Sequence, residues 1–152
     1  MAGGWSEAQA TFLETLVSGP RAIRDEQRLR GTALALLDGL GLLSLAERPA
    51  NAMTHAELRF IEIARALMHS PDFILLDEPA SGLTDTEINR LGDVIASLRR
   101  QGVGVLLVEH HTDLVFGASD VVTTLNFGQV ICTGTPDVVQ ADAEVRLVYL
   151  AE

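Results

Sequence analysis

A short run of apolar residues, Phe73 to Leu76, constrains the fold of this chain more than any other feature. Pro71 precedes the run and Asp77-Glu78-Pro79 ends it, so the run is too short for a buried helix and fits a buried strand. A strand that is apolar throughout is typical of a parallel sheet that is covered on both faces. Val103 to Val108 is a second run of this kind, and it predicts a second buried strand.

Helical patterns alternate with these strands. Thr54-His55-Ala56-Glu57 is a capping-box pattern, and it predicts a helix that runs to about Met68. Thr84-Asp85-Thr86-Glu87 repeats the pattern and predicts a helix that ends near Gly102. An earlier helix is expected from about Ile23 to Leu37. The alternation of amphipathic helix and apolar strand predicts an α/β fold.

The two ends of the chain carry different patterns. Ser6-Glu7-Ala8-Gln9 is another capping box and predicts a helix that Gly19-Pro20 ends. Near the other end, two strand-like runs flank Asn126-Phe127-Gly128-Gln129, which predicts a β-hairpin. Thr135-Pro136 follows and predicts the start of a further helix.

Composition excludes several classes of function. The formal net charge is −10 and all 11 basic residues are arginines, so an interaction with the phosphate backbone of nucleic acid is not expected. The single cysteine, Cys132, excludes an internal disulfide. No apolar run approaches the roughly 18 residues that a membrane span needs. These observations predict a soluble, cytoplasmic protein that reaches a membrane only through a partner.

Two adjacent carboxylates, Asp77 and Glu78, follow the first predicted strand. Open α/β sheets bind their ligands at the carboxyl ends of the strands. A pair of carboxylates there suits the binding of Mg²⁺ and the positioning or deprotonation of water. A polar turn before Pro79 is the alternative, and the pair alone does not choose between the two.

Four segments in order resemble the ABC ATPase family. They are Glu62 to Leu67, then Asp77-Glu78, then Ser81 to Thr84, and finally Val108-Glu109-His110. They resemble the signature helix, the Walker B strand, the D-loop and the switch histidine. The tail Gly134 to Val139 resembles the corresponding part of branched-chain amino acid importer subunits.

The resemblance implies a fold and a division of the chain. The fold is α/β, as part of a P-loop NTPase domain of the ABC ATPase type. Residues 1–70 form a helical subdomain that contains the signature helix. Residues 71–152 form the carboxyl-terminal part of the ATPase core, with parallel strands, a hairpin and helices.

The resemblance also implies roles for particular residues. Asp77 binds Mg²⁺, Glu78 is the catalytic carboxylate that orients or deprotonates the attacking water, and His110 contacts the γ-phosphate of ATP. The D-loop is formed by Ser81, Gly82, Leu83 and Thr84. Thr54 to Glu57 occupy the positions of the signature. The implied partners are membrane-spanning permease subunits, a second ATP-binding subunit and a half-domain that carries the P-loop, at the inner face of the plasma membrane.

Two departures from the family pattern are evident. The chain contains no Gly-x-x-x-x-Gly-Lys-Ser/Thr sequence, so the backbone cradle and the lysine that bind phosphate are missing from it. The signature is also altered. Thr54, His55 and Ala56 hold the positions at which the family has a serine, then small or aromatic residues and a glycine, and Glu57 follows them. We expect the Ala56 methyl group to block close approach of a phosphate and Glu57 to repel it.

Three functions are compatible with this sequence. The first is an ATP-hydrolysing subunit of an importer, for branched-chain amino acids or related polar solutes, whose P-loop lies outside these residues and without which the chain is inactive. The second is a non-catalytic remnant or regulator that binds transporter subunits, which the altered signature favours. The third is an ABC-type ATPase of DNA repair or chromosome maintenance, and the acidic charge argues against it. The first two remain open.

Overall fold

The computed structural model of this protein describes residues 20–149. The described residues form two compact units. The first unit contains residues 20–74 and 97–105, and the second contains residues 75–96 and 106–149. The helix predicted from Ser6-Glu7-Ala8-Gln9 lies outside the described residues.

The described residues contain the other predicted helices and the predicted strands in the predicted order, together with two helices, Thr112–Ala118 and Ala143–Tyr149, that the sequence did not predict. The helices are α1 (Pro20–Gly39), α2 (His55–Leu67), α3 (Asp85–Arg100), α4 (Thr112–Ala118), α5 (Pro136–Ala141) and α6 (Ala143–Tyr149). The strands are β1 (Phe73–Asp77), β2 (Gly104–Val108), β3 (Val122–Asn126) and β4 (Gln129–Gly134). Short 3₁₀ turns occupy Leu43–Leu45 and Ala50–Ala52. Within residues 20–149 no helix is both long enough and apolar enough to cross a membrane.

The first unit is built around α1 and α2, which contact each other. The capping box that begins α2 is confirmed, because the Thr54 hydroxyl accepts a hydrogen bond from the Glu57 N–H at 3.2 Å and the Glu57 carboxylate accepts one from the Thr54 N–H at 2.8 Å. The apolar side of α2 is buried. Its buried residues are Ala56, Phe60, Ile63, Ala64 and Leu67.

β1 and β2 are neighbours in a two-stranded sheet. The Gly104 N–H donates to the Asp72 carbonyl at 2.9 Å near the start of both strands, and the Glu78 N–H donates to the Val108 carbonyl at 2.8 Å at their ends. The strands therefore run in the same direction, as predicted. Their carboxyl ends lie at one edge of the sheet.

The apolar runs indicate strands that need cover on both faces. Without the half-domain that carries the P-loop, the sequence predicts that apolar faces stay open, and the described residues confirm this. Ile74 and Leu76 are buried, whereas Leu75 is 61% exposed and Leu106 is 51% exposed. Successive side chains of a strand point to opposite faces. The described part of the chain covers only one of those faces, and the other is an exposed apolar surface.

The second unit contains the predicted hairpin, in which β3 and β4 pair antiparallel from Val122–Gly134 to Asn126–Gln129. Phe127 and Gly128 have φ angles of 47° and 79°, so both central residues of the turn have positive φ, as a type I′ turn requires. Buried Val122, Val139 and Val145 form a small core under the hairpin. Half-buried side chains that pack against it belong to Val115, Phe116, Ile131 and Cys132.

Candidate functional site

The two predicted carboxylates lie at the carboxyl end of β1. Asp77 is the last residue of the strand, and Glu78 follows with a φ angle of 43°. A left-handed backbone is unusual for glutamate and costs of order 1–3 kcal/mol, so the surrounding structure must hold it. Two hydrogen bonds do so, one from the Glu78 N–H to Val108 and one from the Ser81 N–H to the Glu78 carbonyl at 3.1 Å.

The side chains of Asp77 and Glu78 are exposed. Among residues 20–149, neither carboxylate forms a hydrogen bond or an ion pair with another side chain or with the backbone. Their oxygens are therefore available to an external ligand. Carboxylate oxygens suit Mg²⁺, which keeps several water molecules in its coordination shell, so this donor set fits that ion.

His110 lies beyond the carboxyl end of the neighbouring strand, β2, and its side chain is 62% exposed. Its ring packs at a tilt against the ring of His111, with 4.5 Å between the ring centroids. The hydrogen bond between Glu78 and Val108 joins the two loops that follow β1 and β2. The structure thus brings Asp77, Glu78 and His110 to the same edge of the sheet.

Glu109 is a residue of this edge that sequence reasoning missed. None of its side chain is exposed. Its Oε1 accepts a hydrogen bond from the Ala80 N–H at 2.8 Å, and its Oε2 accepts from the N–H groups of His110 at 2.8 Å and His111 at 3.1 Å. The Oε2 atom also lies 2.9 Å from Nδ1 of the His111 ring.

The electrostatics of Glu109 follow from these contacts. Burial by itself raises the pKa of this carboxyl, because it disfavours the charged form. The hydrogen bonds from the His111 ring and from the backbone N–H groups of Ala80, His111 and His110 outweigh burial. Together they lower the pKa of Glu109 from its usual 4.5 to about 2. Glu109 is therefore an ionised carboxylate that is fully enclosed by hydrogen-bond donors.

Glu109, His110 and His111 also place three possible metal ligands within 4.8 Å of one another. A metal ion here would have to displace the proton that the His111 ring shares with Glu109. The carboxylate already has four N–H groups directed at it. In this structure the three residues are linked by hydrogen bonds from His110 and His111 to the Glu109 carboxylate.

The loop from Ser81 to Thr84 connects the carboxylates to α3. The Leu83 N–H donates to the Ala80 carbonyl at 3.0 Å, and Gly82 has a φ angle of 75°. Ser81, Gly82 and Thr84 are exposed, and Leu83 is half-buried. The Glu87 carboxylate accepts hydrogen bonds from both the backbone N–H and the hydroxyl of Thr84, each at 2.8 Å. The loop is therefore mostly exposed and is held by hydrogen bonds at both ends.

The residues of the altered signature, Thr54 to Glu57, belong to the first unit, whereas the residues described above belong to the second. Thr54 and His55 are exposed at the start of α2, but Ala56 is only 4% exposed. The expectation that the Ala56 methyl group obstructs a ligand is wrong in this structure, because the methyl group is packed in the interior of the first unit.

Glu57 has its charge compensated inside the same unit. Its carboxylate caps α2 through the Thr54 N–H and also pairs with the guanidinium group of Arg48. The hydrogen bond from Thr54 is the main cause that lowers the pKa of Glu57, and Arg48 acts in the same direction. The expected repulsion between Glu57 and an anion is thereby reduced at the start of α2.

Comparison with known proteins places these residues in context. Residues 6–81 match the family described as ABC transporter. The branched-chain amino acid transport ATP-binding protein LivG of Escherichia coli K12 is 35% identical over 138 residues, which are 90% of this chain and 54% of LivG. BraF of Pseudomonas aeruginosa has the same description. It is 36% identical over 142 residues, which are 93% of this chain and 56% of BraF.

An export protein is similar to about the same degree. The lipopolysaccharide export system ATP-binding protein LptB of Haemophilus influenzae is 34% identical over 83% of this chain and 52% of LptB. Among solved structures, the ADP conformation of MJ1267, an ATP-binding cassette of an ABC transporter, is similar to this chain with a TM-score of 0.76 and 27% sequence identity. The match covers 99% of this chain and 60% of the MJ1267 chain. The chain thus spans about half the length of the curated relatives it matches.

Proposed function

Because this chain belongs to the ABC transporter family of ATP-binding proteins, we propose that it supplies the hydrolytic residues of an ATP-binding subunit. The observation that carries this proposal is the backbone of Glu78, held at a φ angle of 43° with its carboxylate exposed. A positive φ angle also occurs at Phe127 in the hairpin turn, so the strain at Glu78 points to a site only together with the free carboxylates at the carboxyl end of β1, where open α/β sheets bind their ligands.

Each residue of the sheet edge has a distinct part in the proposed reaction. Asp77 would hold Mg²⁺, and the ion would supply positive charge that offsets the negative charge of the phosphates. Glu78 orients the attacking water or accepts its proton. His110 donates a hydrogen bond to the γ-phosphate of ATP. Ser81 to Thr84 contact a second ATP-binding subunit.

The remaining contacts to ATP must come from residues outside this sequence. The sequence contains no lysine and no phosphate-binding glycine loop. Its residues therefore fit the binding of the metal and the water, but the groups that hold the triphosphate are missing. The exposed apolar face of β1 and β2, with Leu75 and Leu106, fits packing against the half-domain that carries this cradle. We expect the chain without that half to bind no ATP that calorimetry can detect.

Import of branched-chain amino acids is the finer proposal, at the inner face of the plasma membrane and in complex with permease subunits. The names of LivG and BraF support it. LptB, which is similar to about the same degree, supports an export system instead. Uptake of labelled leucine by cells that lack this gene, compared with cells in which the gene is restored, tests the proposal. Equal uptake by the two strains would contradict import of this solute.

A non-catalytic subunit is the second candidate, and the altered signature favours it. Thr54 and His55 are the exposed residues at the start of α2, and Glu57 is occupied by its cap and by Arg48. A helix start can bind phosphate through its free N–H groups. At the start of α2, the Glu57 carboxylate already accepts a hydrogen bond from the N–H of Thr54.

One experiment separates the two candidates. A P-loop half-domain is fused before Met1, and steady-state ATP hydrolysis is measured for the fused protein, for its Glu78→Gln variant and for a Glu26→Gln control on the exposed side of α1. The catalytic proposal requires hydrolysis that Glu78→Gln removes and Glu26→Gln leaves intact. Absence of hydrolysis in the fused wild-type protein, with ATP bound, would favour the non-catalytic candidate.

A further inference from the structure

We propose that Glu109 is a positioning residue whose buried carboxylate holds the loop of Glu78 and the loop of His110 in one fixed arrangement. The inference rests on the proposed function, since it concerns the same site. It assigns a role to a side chain that has no exposure to ATP or water and therefore cannot itself react.

The two carboxylate oxygens of Glu109 serve different loops. Oε1 accepts from the N–H of Ala80, which is fully buried and lies two residues beyond Glu78. Oε2 accepts from the N–H groups of His110 and His111, in the loop after β2. One carboxyl group thus joins the loop that presents Glu78 to the loop that presents His110.

This link accounts for the persistence of the strained backbone at Glu78. The Glu78 N–H is fixed by the Val108 carbonyl, immediately before Glu109. The Ala80 N–H is fixed by Glu109 itself. The N–H groups of Glu78 and Ala80 are therefore fixed by two consecutive residues, Val108 at the end of β2 and Glu109 directly after it. Hydrogen bonds to an ionised carboxylate are about twice as strong as those between neutral groups, so this second fixation is the stronger one.

The chemistry of the link requires a carboxylate. Glutamine has the same shape, but one of its two terminal atoms is an NH₂ group that donates and does not accept. In Glu109→Gln the amide oxygen keeps the position of Oε2, where the N–H groups of His110 and His111 and the His111 ring converge, so the NH₂ group faces the Ala80 N–H. Two donors that face each other in a buried position are unfavourable, so the loop of Ala80 must move away.

The test measures the loop and the reaction in the same fused cassette. Hydrogen exchange of the Ala80 amide is compared among wild type, Glu109→Gln, His111→Ala and the control Glu26→Gln. We expect Glu109→Gln to speed exchange at Ala80 about tenfold or more. His111→Ala removes the ring but leaves both loops bonded to Glu109, so Ala80 stays protected. Wild-type exchange at Ala80 in Glu109→Gln would overturn the proposal.

Kinetics distinguish positioning from a purely structural role. We expect Glu109→Gln to lower kcat about tenfold or more while the KM for ATP changes by less than about twofold, because misplaced reacting groups slow the chemistry and leave binding intact. Wild-type kcat together with lost protection at Ala80, or an increase of KM alone, would also overturn it. If Glu109→Gln does not fold, Glu109→Asp, which keeps the charge but shortens the reach, replaces it in both measurements.

Failure of the proposed function gives a different result. If the fused wild-type protein hydrolyses no ATP, the proposed function fails for the whole cassette. The exchange comparison at Ala80 then decides by itself whether Glu109 joins the two loops.

Discussion

The edge of the β1–β2 sheet and the start of α2 differ in how much of their chemistry is still available. At the sheet edge, Asp77 and Glu78 have free carboxylates, and the side chain of Glu109, which has no exposed surface, accepts hydrogen bonds from the loops around them. At the start of α2, Glu57 is capped and paired with Arg48, and Ala56 is packed inward. The first region is arranged toward an external ligand, and the second is arranged toward its own unit.

Motif residues have to be judged by their partners as well as by their identity. Glu57 and Glu78 are both glutamates in motif positions. One is satisfied within the protein, and the other is held in a strained conformation with its oxygens unused. Within the proposed function, the difference places the chemistry of hydrolysis in the second unit.

The largest effect is expected for Glu78→Gln in the fused cassette. The substitution keeps the shape of the side chain but removes the proton acceptor, so turnover should fall by about 10²–10⁴. Asp77→Asn should instead weaken Mg²⁺-dependent nucleotide binding, because it removes charge from the metal site. Steady-state hydrolysis and nucleotide titration with and without Mg²⁺ measure the two effects. Equal, small effects of both substitutions would break the contrast between the regions.

A change in acid stability is expected from Glu109. Its folded-state pKa of about 2 lies below its usual value of 4.5, so the ionised carboxylate stabilises the fold above pH 4.5. That stabilisation, at most about 3 kcal/mol, is lost as the pH falls from 4.5 toward 2. Urea unfolding of the fused cassette at several pH values measures it.

The matched variants isolate the source of this acid sensitivity. Glu109→Gln should remove most of the pH dependence in that window, even though His110 and His111 still face the site. Glu57→Gln, at the other region, should leave most of it in place. An unchanged pH profile in Glu109→Gln would show that other carboxyl groups cause the acid sensitivity.

A smaller effect is expected for Ala56→Gly. Because the Ala56 methyl group is buried in the first unit, its removal should lower stability by about 1 kcal/mol or more, through lost burial and through the poor helix propensity of glycine. It should not raise the rate of ATP hydrolysis. Thermal unfolding and steady-state hydrolysis of the fused cassette are the measurements. A faster enzyme would mean that the backbone at residue 56 does approach a ligand.

The smallest effect is expected for Arg48→Gln. The Arg48–Glu57 pair is partly exposed, so its loss should change stability only slightly. The carboxylate at the start of α2 would then lack its cationic neighbour, and the KM for ATP should rise a few-fold if this helix end faces phosphate. Arg30→Gln, which removes the exposed partner of Glu47, is the control. Identical KM values in the two variants would mean that Glu57 does not face ATP.

Local patterns predicted much of the fold. The capping box at Thr54 and the residues of the hairpin turn act over a few positions, so the sequence contains all the information that they need. The apolar runs located β1 and β2 for the same reason. Their exposed face follows from the same patterns, because the runs indicate strands that need cover on both faces and the sequence lacks the P-loop half that would supply it.

The candidate site was predicted only in its outward-facing residues. Asp77, Glu78 and His110 lie at the ends of apolar strands or within two residues of them, and this position is evident from the sequence. Glu109 shares this position, since it follows β2 immediately, but a charged residue is ordinarily expected at the surface. Its side chain accepts a hydrogen bond from the N–H of Ala80, 29 positions earlier in the chain. A contact between residues this far apart cannot be predicted from the spacing of neighbouring residues.

The backbone of Glu78 also bears on how this chain can change over generations. Glycine adopts a φ angle of 43° without strain, so stability alone favours glycine at position 78. A lineage that no longer hydrolyses ATP would gain stability from that single replacement, and drift should reach it readily. Within the proposed function, glutamate at a position that disfavours it is a trade of stability for activity.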